Sequence, residues 1–587
     1  MKILFLTHAF NSLAQRLYVE LAARGHEVSI EIDVNDRVTE EAVRLFDPAL
    51  VVAPFLKRAI PESVWRRRRC IVVHPGIVGD RGPSSLDWAV QEGEAEWGVT
   101  ALEATGEMDA GPVWASETFA MRRAGEGKES PAFVPSAKGS LYRNEVTEAA
   151  VKALLTALDR MQDPAFRPQP PDYASPDVRG RPRPAMRQAD RAIDWTRDAS
   201  ATVLAKIRAA DGVPGVLDGL YGDPVYLYDA HPEDALRGGA PGAVIARRDG
   251  AILRATIDGA VWIGHLKRKA DGEPGLKLPA TMVLGDRIEE VPELAVPLWD
   301  DAPTRTYREL RYAEANGVGY VHFAFYNGAM STRQCERLAA AIRFAKTRPT
   351  RVIALMGGPD FWSNGIHLNV IEAAPTPADE SWANINAIDD VALELLTCRD
   401  HLTIAALQGN AGAGGVFLAL AADRVLARRG VVLNPHYKGM GNLYGSEYWT
   451  YLLPRRVGRQ RAAAIVENRL PIGAPQAAEL GLVDEAAGED VPGFVAHAVR
   501  AAERLAARPG YASLLARKRE ERAADEAAKP LAAYRAEELE RMKLNFYGFD
   551  PSYHVARYHF VFKVPKSRTP LYLARHRAGA AAARAAA

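Results

Sequence analysis

MKILFLTHAFNSLAQRLYVELAARGHEVSIEID (1–33) sets the architecture of the first part of the chain. A short apolar run, KILFLTHAF, precedes a segment of helical periodicity that reaches Arg24 and stops at Gly25, and HEVSIEID follows as a second β-rich run. ALVVAPF (49–55) and CIVVHPG (70–76) continue the alternation. β-rich runs spaced by helices predict an α/β unit built on a parallel sheet with crossover helices. No G-x-G-x-x-G follows the first strand, so the expectation is a Rossmann-like fold without a dinucleotide fingerprint.

Working outward, residues 1–162 are expected to form this first unit. DPAFRPQPPDYASPDVRGRPRPAMR (163–187) is dense in proline and arginine, which excludes regular structure and predicts an extended connector over 163–190. A helix through Ala209 and the short runs PVYLYDA, GAVIARR, AILRATI and AVWIGHLKR, separated by Gly and Asp turns, predict a small OB-like β-barrel over 191–295. GYVHFAFYNG (319–328), a helix from Thr332 to Ala345 and the strand RVIALMGG (351–358) start another α/β region, placed at 296–510. Residues 511–587 read as a helical segment, with one or two charged amphipathic helices from Leu514 to Met542 and a frayed end, AGAAAARAAA.

Composition narrows the function classes. In 587 residues, 74 Lys and Arg balance 73 Asp and Glu, so there is no overall pull towards nucleic acid or a membrane surface. The run Trp65-Arg66-Arg67-Arg68-Arg69 is read as a solvated helix end. Cys70, Cys335 and Cys398 are far apart, which argues against disulfides, zinc or an iron–sulfur cluster and fits reduced cytoplasm. The first apolar run is too short for a signal peptide, and no stretch approaches the ~20 apolar residues of a membrane span.

His74 stands where the strand CIVVH breaks into the loop PGIVGDRGPSS, the end of a parallel sheet at which ligands bind, and Gly76, Gly79 and Gly82 let the backbone come close. HPGIVGDRGPSS (74–85), GVTALEATGEMDAGPVW (98–114) and AIDWTRDASATVLAKIRAADGVPG (192–215) resemble segments of the formyltransferases that use 10-formyltetrahydrofolate. The resemblance covers about residues 1–290. It implies that His74 polarises the formyl group, that Asp109 sets the protonation of His74, and that Pro54, Phe55, Leu56 and Arg81 are folate-contacting candidates. Val72 stands where the family has asparagine, so one expected donor to the formyl oxygen is absent.

FWSNGIHLN (361–369) and LTIAALQGNAGAGGVFLALAADRVLA (402–427) resemble the two oxyanion-hole segments of the crotonase superfamily, the enoyl-CoA hydratases and isomerases. That resemblance implies a crotonase-type ββα fold in which the backbone N–H groups of Ile366 and Gly414 hold a thioester oxygen as negative charge grows on it. Ser363, Asn364, Gly365 and His436 become coenzyme A candidates. The hydratase carboxylates are not reproduced, since Phe417 and His436 occupy their places, so water addition is not expected. In their stead, NPHYKGMGNLYGSEYWTYLLPRRVG (434–458) sets His436, Tyr437, Tyr444 and Glu447 among aromatic residues, where a carboxylate is costly to bury without a role or partner.

The order of the two modules, with HPGIVGDRG, FWSNGIHLNVIE, SWANIN and the 434–458 run, resembles the HoxX-type hydrogenase maturation proteins. This implies an enzyme that moves formyl from 10-formyltetrahydrofolate to coenzyme A and decarbonylates formyl-CoA to CO for the iron of a [NiFe]-hydrogenase, with Tyr437 and Glu447 handling the proton. The implied partners are the small-molecule substrates and the hydrogenase large subunit or its maturation machinery, with no metal. Two alternatives stay open: formyl transfer to an amine acceptor with a fused acyl-CoA module, and a non-enzymatic scaffold for hydrogenase assembly.

Overall fold

The computed structural model of the chain describes residues 1–122, 137–269, 272, 275–299 and 304–578. Its first sheet has six strands in the order Glu27–Ile32, Lys2–Thr7, Leu50–Phe55, Cys70–His74, Glu96–Glu103, Val113–Ala120. The first four are parallel, as the alternation predicts; Glu96–Glu103 runs against them and pairs antiparallel with both Cys70–His74 and Val113–Ala120. Helix Ser12–Ala23 starts at Asn11, whose side chain accepts from the Ala14 N–H, and ends with Gly25 at φ 78°. Capping at one end and a glycine that adopts a left-handed conformation freely at the other explain why the helix is where it is.

Residues 163–187 carry no helix or strand, yet they are not a free tether. Gly180 N–H donates to the Val78 carbonyl, Arg183 N–H to the Arg81 carbonyl and the Tyr173 hydroxyl to the Gly79 carbonyl. The segment therefore lies as a wall against the loop that follows His74. Beyond it, Val216–Leu220, Asp223–Glu233, Ala260–Arg268, Ala251–Ala255 and Val244–Arg248 pair in that order as an antiparallel sheet, with Lys277–Pro279 added to Ala260–Arg268. Its apolar face closes over Val203, Leu204 and Ile207 of helix Ser200–Ala210.

The third region opens with a strand the sequence reading passed over. Leu310–Ala315 pairs antiparallel with Val318–Phe323 across Asn316-Gly317, both at positive φ. An Asn-Gly pair between two β-rich runs is a short-range hairpin signal. Val352–Gly357, Leu402–Leu407, Arg424–Arg428 and Glu485–Ala487 follow in parallel, and a smaller sheet of Phe361–Ser363, Asn410–Gly412, Val432–Asn434 and Ile472–Gly473 lies beside them. Three helices follow, Tyr511–Ala528, Leu531–Tyr547 and Ser552–Val561, and Leu531, Met542, Phe546 and Tyr553 join the core of this region. From Gly579 onward the terminal AGAAAARAAA lies outside the described residues. No helix among the described residues is long and apolar enough to cross a membrane.

Two polar joints tie the halves together. Glu148 Oε1 accepts from Arg16 and Arg428, each at 2.8 Å, and Asp360 Oδ1 accepts from Ser140 at 2.6 Å and Asn144 at 3.0 Å. At the opposite edge the C-terminal residues cover strand Glu27–Ile32: Ile30 N–H donates to the Leu573 carbonyl, Ile32 N–H to Thr569 Oγ1, and His576 bridges Ser29 Oγ (2.7 Å) and Glu31 Oε2 (2.9 Å). Covering the edge removes a template for strand addition. His576→Ala leaves the buried Glu31 short of a partner, so it should lower the unfolding free energy by about 1–3 kcal/mol in urea melts. Hydrogen exchange at the Ile30 and Ile32 amides should accelerate in the same variant.

Candidate active sites

His74 is buried at the end of its strand, with each ring nitrogen facing a carboxylate. Nε2 is 2.9 Å from Asp80 Oδ2, and Nδ1 is 3.5 Å from Asp109 Oδ2. The structure thus brings together the expected pair, His74 and Asp109, and adds Asp80, which the sequence reading did not single out. Asp109 has φ 53° and its Oδ2 accepts from the Gly82 N–H at 3.3 Å, so a left-handed backbone aims the carboxylate at the ring. Close approach fixes the glycines: a Cβ on Gly76 would lie 2.4 Å from His74 Nε2, and one on Gly180 would lie 2.0 Å from the Asp80 nitrogen. Arg183, from the connector, places Nε 3.8 Å from Asp80 Oδ1.

The folate candidates separate into two groups. Arg81 donates to the carbonyl of Met108, the residue before Asp109, at 3.2 Å and pairs with Glu107. Phe55 ends the neighbouring strand, accepts from His8 N–H at 2.7 Å and sets its ring edge-on to those of His8 and Tyr142. Pro54 is buried, and Leu56 packs with Val72 into the apolar cluster of Leu4, Val51 and Phe46. Val72 belongs to that packing.

At the second centre the two predicted segments meet. A Cβ on Gly365, at φ 80°, would lie 3.5 Å from the Gly414 nitrogen. Gly414 begins helix Gly414–Leu420, where a backbone N–H has no acceptor within the helix, and the preceding Ala413 is held at φ 48°, ψ −128°. Ile366 follows Gly365, whose carbonyl accepts from Met330 N–H at 3.0 Å. Of the coenzyme A candidates, Asn364 is exposed and donates to the Asn327 carbonyl, while Ser363 is fully buried and its hydroxyl accepts from Gly365 N–H at 3.1 Å. Ser363 is therefore a strut of the turn. His436 is half-buried, and burial first, then Arg469, hold its ring pKa down at about 4.

Glu447 sits directly on the oxyanion segment. A Cβ on Gly414 would lie 2.0 Å from Glu447 Oε1, and Glu447 Oε2 is 2.5 Å from the Tyr437 hydroxyl, which also donates to the Ser446 carbonyl at 3.0 Å. Phe417, in the place of a hydratase carboxylate, stacks on Tyr437 with ring centres 5.4 Å apart. The ring lost for acid–base work is used to hold the phenol. Behind Glu447 lie two more buried carboxylates the sequence reading did not name, Asp389 and Glu538. Burial, then Asp389, push Glu447 well above the usual carboxylate range. Asp389, flanked by Ile388 and Asp390 on helix Pro377–Leu396, falls among that helix's core positions; Glu538, in the run AEELER, carried no signal.

Residues 314–545 match the family Enoyl-CoA hydratase/isomerase, and residues 185–273 match the Formyl transferase C-terminal domain. Hydrogenase maturation factor HoxX of Bradyrhizobium diazoefficiens is 55% identical over 578 residues, 98% of this chain and 97% of that protein. This chain belongs to the HoxX family of hydrogenase maturation factors. The crystal structure of HypX from Aquifex aeolicus in complex with tetrahydrofolic acid superposes with a TM-score of 0.93 at 49% identity, covering 98% of this chain and 99% of that one. A methionyl-tRNA formyltransferase of Sorangium cellulosum is 29% identical over 251 residues, 41% of this chain and 75% of the relative. The HoxX chain thus joins a formyltransferase-like and a crotonase-like domain and ends in a helical region, as the sequence resemblance implies.

The closeness of Gly414 and Glu447 in this HoxX protein has a direct test. Gly414→Ala forces the Glu447 carboxyl off the helix start, and overpacking of this kind costs about 1–3 kcal/mol. The variant should fold with a lowered melting temperature by calorimetry, and its crystal structure should show Glu447 displaced.

Proposed function

We propose that this chain takes the formyl group from 10-formyltetrahydrofolate at His74 and Asp109, passes it to coenzyme A, and decarbonylates formyl-CoA at Tyr437 and Glu447. The CO released would serve the iron of a [NiFe]-hydrogenase. The observation that carries this reading is the seat of Glu447 on Gly414, the residue whose N–H the crotonase resemblance assigns to the thioester oxygen. The tetrahydrofolic acid bound to the Aquifex HypX supports a folate at the other centre.

At the first centre, attack of the coenzyme A sulfur on the formyl carbon places negative charge on the formyl oxygen, and collapse of that adduct breaks the C–N10 bond, the folate nitrogen leaving with the proton the thiol gave up. His74 is the donor at hand once the formyl oxygen takes the place of Asp80 at Nε2, and Asp109 beside Nδ1 orients the ring. With Val72 in place of a neutral donor, charge stabilisation falls to the imidazole. At the second centre, the N–H groups of Ile366 and Gly414 hold the carbonyl oxygen. The C–H electrons remain on carbon as the lone pair of CO, the C–S electrons leave with sulfur, and Glu447 takes up the proton lost from carbon and gives one to sulfur. No electrons enter or leave, so HC(O)–SCoA gives CO and HS–CoA.

His74→Ala and Asp109→Asn should each cut formyl-folate consumption by about 10²–10⁴-fold, the usual worth of a general acid or base. Tyr437→Phe and Glu447→Gln keep shape and should reduce CO release from synthetic formyl-CoA to a comparable degree, with CO followed by a haem trap. Formyl transfer should persist in these two, with formyl-CoA or formate accumulating. Wild-type CO yield from formyl-CoA in both variants would remove them from the mechanism. Turnover of formyl-folate with an amine and without coenzyme A, or binding without any turnover, would favour the amine-acceptor and scaffold alternatives.

A further inference from the structure

We infer that Asp389 and Glu538 are positioning residues of the crotonase-type centre: together they fix the loop that carries Glu447 and keep its carboxyl protonated, so that the C-terminal helix Leu531–Tyr547 is part of the active site. This rests on the decarbonylation reading for its chemical use, but not for the arrangement itself. Asp389 Oδ1 accepts from Glu447 N–H at 2.7 Å and Oδ2 from the Ser446 hydroxyl at 2.8 Å. Glu538 Oε2 accepts from Tyr448 N–H at 2.9 Å and Oε1 from Thr450 N–H at 2.8 Å. The loop they grip is strained, since Glu447 and Tyr448 are consecutive non-glycine residues at φ 58° and 59°. Such a conformation is costly for residues with a side chain and persists only where the surroundings over-determine it. Two carboxylates, from separate helices, supply four acceptor oxygens to Ser446, Glu447, Tyr448 and Thr450.

The same carboxylates set the proton. Glu447, Asp389 and Glu538 are each 1% exposed or less. The charged and titratable groups around Glu447 are Asp389 and Asp390 on helix Pro377–Leu396, Arg535 and Glu538 on helix Leu531–Tyr547, Tyr437 and Tyr448 on its own segment, and Cys335 on helix Thr332–Lys346. One guanidinium, Arg535, faces this group, and it serves Asp389 (3.6 Å) and Asp390 (2.6 Å). One cation beside three buried carboxyls leaves the negative charge on Asp389, and Glu447 avoids a second buried charge by keeping its proton. Hydrogen-bond arithmetic agrees. The Tyr437 hydroxyl has one proton and two acceptors in reach, the Ser446 carbonyl at 3.0 Å and Glu447 Oε2 at 2.5 Å, so a proton on Glu447 Oε2 lets both contacts be hydrogen bonds at once. Burial likewise holds Asp389 up at about 6 and Glu538 at about 8.

A neutral carboxyl with Oε1 turned to Gly414 and a proton on Oε2 can accept the formyl proton on one oxygen while releasing the other towards sulfur. The proton count is unchanged after CO and thiol are formed. The sign of the expected pH effect follows. A neighbouring negative charge raises the proton affinity of Glu447, so neutralising Asp389 lowers it.

The test is an infrared pH titration of the ligand-free full chain, following the protonated-carboxyl band that Glu447→Gln removes, beside the pH profile of CO release from synthetic formyl-CoA. Asp389→Asn keeps an acceptor for Glu447 N–H and lets the Ser446 hydroxyl turn, so the loop stays in place. The midpoint of the Glu447 band should fall by about one pH unit, and the alkaline limb of CO release should move down with it. Glu538→Gln should shift the midpoint in the same direction by less, because Glu538 is itself neutral over most of the range. Asp389→Ala, which removes the grip as well, should slow CO release at every pH. An unmoved midpoint in Asp389→Asn and Glu538→Gln, or no Glu447 band in the wild type at neutral pH, overturns the inference. A band that behaves as expected in a protein that makes no CO from formyl-CoA supports the positioning role and rejects the decarbonylation reading.

Discussion

Glu148 accepting from two guanidiniums at once is the contact on which the two-centre architecture depends. Arg16 comes from the first helix of the formyltransferase-like half and Arg428 from a central strand of the crotonase-like half, and the carboxylate between them lies where both are nearly excluded from solvent. Arg16 also donates to the Gly430 carbonyl and Arg428 to the Gln408 carbonyl and Asn144. Charges desolvated in this way are strongly coupled, because removing any one leaves the others short of a partner. The joint therefore specifies how the halves dock, even where its net contribution to stability is small.

Both candidate centres are held by backbone that ordinary residues avoid. Asp109 beside His74, Ala413 ahead of helix Gly414–Leu420, and Glu447 with Tyr448 all have positive φ without being glycine. Each is surrounded by groups that fix it: Gly82 N–H on Asp109, the Asn434 carbonyl on Ala413 N–H, and two carboxylates on the Glu447 loop. Aim is obtained from the neighbours, so segments that look peripheral along the chain carry weight at the sites. The proline-rich connector walls the loop after His74, and the C-terminal helices supply Glu538.

Much of the fold was open to inspection in the sequence because it rests on local rules. Alternating β-rich and helical periods placed the four parallel strands of the first sheet, Gly25 ended the first helix, and the prolines of 163–187 excluded regular structure. The hairpin Leu310–Phe323 carried its signal in Asn316-Gly317 and was passed over. His74, Asp109, Gly414 and Glu447 were nameable from motif and from the cost of burying a carboxylate among aromatic residues.

What the sequence determined by itself was which residue types stand at which steps along the chain: the strand-end histidine, the glycine-rich helix start, the missing hydratase carboxylates and the match to two modules. Tertiary structure alone decided which of these residues meet. Asp80 turns onto the second nitrogen of His74, Phe417 becomes the platform for Tyr437, and Asp389 and Glu538, far from Glu447 in the chain, close around it. The physical reason is that a carboxyl's role depends on the solvent it loses and the charges it gains. Those are properties of packing between distant segments, and local periodicity does not encode them.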